Sequence, residues 1–187
     1  STLDRSSAAS DVYKRQMYPA GDAAVGTYAV ANALPGEYPL VKDIKAKVYG
    51  AGKGNLADES RIGSVYWNRG LGAAVMWIEG LRNAQKMHNK VGKAVNGAEF
   101  RDGYEAIDMN EARMKELGID GMLAPFAISC ENHEGAGKFA VMQWDGEKFN
   151  QVTGWEAPLD PKFIRGLVET SAAKFAKENN ITPKKCG

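Results

Sequence analysis

The chain has 187 residues, 44% of them hydrophobic and 25% charged, the balance of a globular protein able to bury a core. Its 24 Lys+Arg against 23 Asp+Glu leave a formal net charge of +1, so it lacks the basic excess with which nucleic-acid-binding proteins neutralise phosphates. No run reaches the roughly 18 apolar residues that a membrane-spanning helix needs.

Residues 1–16, STLDRSSAASDVYKRQ, are polar and aperiodic, and they are set aside as a non-native or disordered leader. Residues 20–26, AGDAAVG, are small and turn-forming, and 27–34, TYAVANAL, read as a short buried strand bounded by Gly26 and Pro35. Pro35-Gly36 punctuates the chain and is a candidate crossover. Leu40, Val41, Ile44 and Val48 recur at helical spacing, which predicts a helix over 38–49 ended by the glycines of 50–54. The longest periodic stretch, 64–87, carries Leu71, Val75, Ile78 and Leu81 on one face. Ala74, Met76 and Trp77 widen that face until the helix is expected to lie buried between layers.

Two short helices are expected over 96–107 and 110–117, the second stopped by Gly118, followed by an extended piece at 121–129. Phe139–Trp144 and 149–155 read as apolar-aromatic strands joined at Asp145-Gly146, a dipeptide that tolerates the positive φ of a tight hairpin. The closing helix, about 160–179, starts at Asp160-Pro161 and aligns Ile164, Leu167, Val168, Ser171 and Phe175. Strand, helices, hairpin and helix make an α/β or α+β fold. The long apolar helix, however, wants more sheet and more neighbours than these elements supply.

Chemistry-bearing clusters are few. Cys130-Glu131-Asn132-His133-Glu134 places a thiol and an imidazole together, as a nucleophile–base pair or two metal ligands would require, but further soft ligands are limited to His88 and Cys186. Cys130 and Cys186 read equally as two thiols or as one disulfide. The glycine-rich 50–54 lacks the G-x-x-x-x-G-K-[ST] order and follows a helix instead of opening one, so it is a helix-ending turn and not a phosphate cradle. Two histidines in the whole chain leave little for general acid–base chemistry, which favours binding over catalysis. Tyr66, Trp67, Asn68 and Arg69 combine rings with amide and guanidinium donors, suiting either one wall of a ligand cleft or an ordinary helix entry packed in a core.

Taken in order, AGDAAVG at 20–26, the P-x₃-D-I helix from Pro39, VYWNRG and EGLRNAQ within 65–85, CENHEGAGKFAVMQWDGEKF at 130–149 and ETSAAKFAKENNITPKKC at 169–186 resemble the branched-chain amino acid type of periplasmic solute-binding protein. The resemblance spans 17–187. It implies an α/β fold: the C-terminal half of a two-lobed type I periplasmic binding protein with both lobes incomplete. Residues 17–35 would end the second-lobe sheet, 36–134 would build the last helices and a strand of the first lobe, and 135–187 would return for the hairpin and closing helix. Pro35, Gly36 and Gly135 would be hinge positions, and Tyr66, Trp67 and Asn68 would face the ligand cleft.

The resemblance further implies a Cys130–Cys186 disulfide, a periplasmic or extracytoplasmic location, and no cofactor, metal or catalytic group. The partners would be an amino acid or small organic acid, an ABC permease, and the N-terminal half of the same protein, without which the chain is expected neither to bind nor to close. The rival readings are a thiol-dependent hydrolase using Cys130 and His133 and a type I ligand-sensing domain of a regulator.

Overall fold

The computed structural model describes residues 19–183, 185 and 186; the leader expected at 1–16 lies outside them. The chain packs into two compact units. The first comprises residues 19–74, 111–125 and 138–156, and the second 75–110, 126–137 and the chain from 157 onward.

The first unit is organised by a three-stranded antiparallel sheet: β1 (Tyr28–Ala31), β4 (Ala140–Trp144) and β5 (Phe149–Gln151), in the order β1-β4-β5. The register pairs Ala31 with Ala140 and Trp144 with Phe149. Strand β4 alternates strictly, burying Ala140, Met142 and Trp144, the period of two that a one-sided sheet imposes. Ala31, Leu34, Ala140 and Met142 form the core beneath it, with Phe149 and Trp155 packed alongside, while Ala24 covers Trp144. The strand expected at 27–34 is therefore shorter and buried on one side only. Tyr28 and Val30 lie exposed on the other face. The Asp145-Gly146 turn forms as expected, with Gly146 at φ +107°. The Asp145 carboxylate accepts the backbone N–H groups of Glu147 and Lys148, both at 2.8 Å, and the Asn150 amide, which together lower its pKa to about 2.

Also in this unit, α1 (Pro39–Ile44) continues as a π-helical turn, Lys45–Tyr49, and ends where Gly50 N–H donates to the Lys45 carbonyl. Helix α4 (Glu111–Glu116) stops at Gly118, whose φ of +71° closes the helix end. A Cβ at Gly118 would come within 2.9 Å of the Leu40 nitrogen, so glycine also admits the approach of α1.

Helix α2 (Val65–Met87) runs through the change of unit after Ala74. Its extent matches expectation, but its buried face does not. The inward stripe is Asn68, Gly72, Val75, Glu79, Gly80 and Ala84, whereas Trp77, Ile78 and Leu81 are exposed, Trp77 at 64%. Gly80 and Ala84 are small because another backbone meets the helix there. In the second unit, a Cβ on Gly103 of α3 (Gly97–Tyr104) would overlap the Ala84 nitrogen and the Gly80 carbonyl oxygen of α2. Asn96 and Glu99 start α3 with a reciprocal capping box. This unit also holds a two-stranded ladder of β2 (Asp108–Met109) and β3 (Phe126–Ala127), and the closing helix α5 (Pro161–Glu178). Asp160 caps α5 by accepting from the Phe163 N–H at 2.8 Å, yet α5 buries none of its residues.

Candidate functional site

Two clusters gather the residues singled out from the sequence, one in each unit. In the first unit, a 3₁₀ turn (Glu59–Arg61) capped by Asp58 leads into α2. Hydrogen bonds from the Ser60 side chain and backbone hold the Asp58 carboxyl below its ordinary pKa. Tyr66 is 42% exposed at the first turn of α2, Trp67 is half-buried, and Ser64 Oγ accepts from the Trp67 N–H at 3.4 Å.

Asn68 differs from the picture of a cleft-lining donor, because it has no exposed surface. Its Nδ2 donates to the carbonyls of Leu34 at 2.9 Å and of Gly36 and Gly63 at 3.3 Å. An amide whose donors are committed to buried carbonyls has none left to orient a ligand in this conformation.

Pro35 and Gly36 lie beside that amide. Gly36 adopts φ +148° and donates its N–H to the Gly63 carbonyl at 2.9 Å, while the Leu34 N–H donates to the Met122 carbonyl at 2.9 Å. The Tyr38 hydroxyl donates to the Pro35 and Gly121 carbonyls, and burial raises its pKa.

The second cluster is the loop 129–137 and the helix face it meets. Cys130 and Cys186 are joined by a disulfide with Cα atoms 5.7 Å apart. No thiolate is then available at Cys130, and the nucleophile–base pairing with His133 loses its nucleophile. The His133 Nε2 lies 3.3 Å from Glu105 Oε1 instead.

Within the loop, Ser129 Oγ accepts from the Asn132 N–H, and Asn132 Oδ1 accepts from the Glu134 N–H. Arg165 of α5 grips the same loop. It donates to the Glu131 carbonyl at 2.6 Å, lies 3.4 Å from Glu134 and pairs with Glu169 at 2.9 Å, and the bond to Glu169 raises its pKa further. Gly135 sits in the loop at φ +73°. The loop and α5 enclose an open cleft of about 840 Å³ lined by Glu131, Glu134, Gly135, Pro158, Ile164 and Arg165, among others.

The sequence reading missed two things: the buried role of Asn68 and the grip of Arg165. Asn68 carried a usable signal, since it lies three and seven residues before Leu71 and Val75, on an apolar stripe where a polar side chain must find partners. Arg165 carried only its spacing of four to Glu169, which marks any exposed helix pair.

No protein-family model and no curated protein matches the chain. Two solved structures are similar to it. The crystal structure of an ABC transporter permease from the Pseudomonas fluorescens group superposes with TM-score 0.84 at 36% identity, over 91% of this chain and 40% of that one. A branched-chain amino acid ABC transporter from Thermus thermophilus, with bound valine, superposes with TM-score 0.54 at 21% identity, over 75% of this chain and 35% of that one. The chain spans less than half the length of either structure. Its mixed helix-and-sheet architecture resembles a fragment of the type I periplasmic binding protein fold, as the sequence resemblance implied, and its structural neighbours are ABC transporter components. Among the described residues no helix is long and apolar enough to cross a membrane.

Proposed function

We propose that the chain is part of an extracytoplasmic substrate-binding protein of an ABC importer. Its ligand would be a branched-chain amino acid or a related small organic or aromatic acid. The observation that carries this reading is the shared fold with two ABC transporter structures, one of them holding valine. The disulfide supports it, because such bonds persist in oxidising compartments. The same bond speaks against the thiol-hydrolase reading, and we take the chain to bind and not to catalyse. The exposed Trp77, Ile78 and Leu81 fit a helix that further protein would cover in the whole receptor.

In this proposal Tyr66 and Trp67 supply an aromatic wall, and Pro35, Gly36 and Gly135 lie in segments that bend when the receptor closes. Ligand would favour the closed state through contacts made only there, and the closed form would dock on the permease. The test is thermal-shift titration with valine, leucine, isoleucine, phenylalanine and aromatic acids. It compares this chain with a longer product that includes the part of the Pseudomonas fluorescens group structure this chain does not span. A saturable shift in the longer product and none in this chain is expected. No shift from any of these compounds in the longer product would overturn the proposal.

A further inference from the structure

We infer that Asn68 is a positioning residue that locks the aromatic wall of Tyr66 and Trp67 to the crossover at residues 34–36, so that the two move as one piece. Its Nδ2 faces three carbonyl oxygens, two on the crossover (Leu34, Gly36) and one on the turn before α2 (Gly63). The opposite orientation of the amide would set Oδ1 against the same three oxygens, so only this orientation satisfies the donors, and it leaves Oδ1 buried without a hydrogen-bond partner.

The backbones are themselves in contact. Gly36 N–H donates to the Gly63 carbonyl, and a Cβ on Gly63 would stand 3.0 Å from the Gly36 oxygen. Both glycines have positive φ, +148° and +86°, which a side-chain-bearing residue adopts only with strain. Asn68 lies on the same first turns of α2 as Tyr66 and Trp67. A side chain bonded at once to the crossover and to its own helix entry therefore fixes where those rings sit relative to Pro35. The consequence for ligand closure rests on the receptor reading, but the lock itself does not.

The test is hydrogen exchange read by mass spectrometry on this chain, comparing the natural protein with Asn68→Asp and Asn68→Ala. Asp keeps the shape and removes the donors; Ala removes both. Peptides covering 33–38 and 61–67 are expected to exchange about tenfold faster or more in both variants, the scale set by loss of buried hydrogen bonds. Those covering the β4–β5 hairpin should stay within about twofold, because no bond of Asn68 reaches them. Unchanged exchange at 33–38, or equal acceleration in the hairpin, overturns the inference. If neither variant folds, Asn68→Gln, which keeps the amide on a longer arm, is read by the same two comparisons. A longer product that responds to none of the titrated amino acids and aromatic acids would sink the receptor reading and leave this result standing.

Discussion

Helices α2 and α5 both show an apolar stripe in sequence, and they are held in opposite ways. Helix α2 turns Gly72, Gly80 and Ala84 inward. It is gripped at the level of the backbone, by Leu123 against Gly72 in the first unit and by α3 against Gly80 and Ala84 in the second. Helix α5 buries nothing, and Phe163, at 63% exposure, stands for its whole apolar stripe. Its fastenings are the Asp160 cap, the reach of Arg165 to the loop 131–134, and the disulfide that ties the segment beyond it to Cys130. Helix α2 is held by close packing together with the amides of Asn68 and Asn83, and α5 by polar and covalent ties without buried packing. The two should therefore fail under different insults.

The largest effect expected is on the covalent side. The bond between Cys130 and Cys186 spans a sequence separation of 56. By the chain-entropy account, opening such a loop costs about 4 kcal/mol. Urea unfolding with and without reductant should show that loss; a difference under about 1 kcal/mol would mean that the reduced denatured chain is already compact.

Next is Gly103→Ala, which forces a methyl into the α2–α3 crossing and is expected to cost about 2–3 kcal/mol by the same measurement. Wild-type stability in that variant would show that the crossing can spread without penalty. Leu167→Ala on α5 should change stability by less than about 0.5 kcal/mol, since the side chain is more than half exposed. A loss near that of Gly103→Ala would reveal packing on α5 that the structure lacks.

The smallest effect is one of pH. The Asp145 carboxyl is depressed to about 2 by the N–H groups it accepts. Its ionised form therefore supports the hairpin above the unfolded value of about 4, and that support fades as pH falls through about 2. Protection of the 145–148 turn, corrected for the intrinsic pH dependence of amide exchange, should fall over that interval in the natural protein and stay constant in Asp145→Asn.

The sequence made some of this legible. Asp145-Gly146 between two aromatic runs located the hairpin, and Asp160-Pro161 located the start of α5, because turn chemistry and capping act over a few residues. The extent of α2 was equally plain. Its inward face was not, because periodicity weighs apolar bulk, and Trp77, Ile78 and Leu81 outweighed the Gly72, Gly80 and Ala84 that make the contacts. The sheet order was hidden for a different reason: β1 and β4 pair across more than a hundred residues, and nothing local announces it. At the candidate site, Tyr66 and Trp67 were visible as rings at a helix mouth. The carbonyls that hold Asn68 carry no side-chain signature, and the disulfide was readable only through family resemblance.

The tie between Cys130 and Cys186 also makes a ring of the chain between them, and that ring contains the β4–β5 hairpin and all of α5. A protease that nicks any single peptide bond inside the ring, including one in the exposed helix, releases no piece. The nicked protein would run at full mass on a non-reducing gel and separate into two bands only once the sulfurs are reduced.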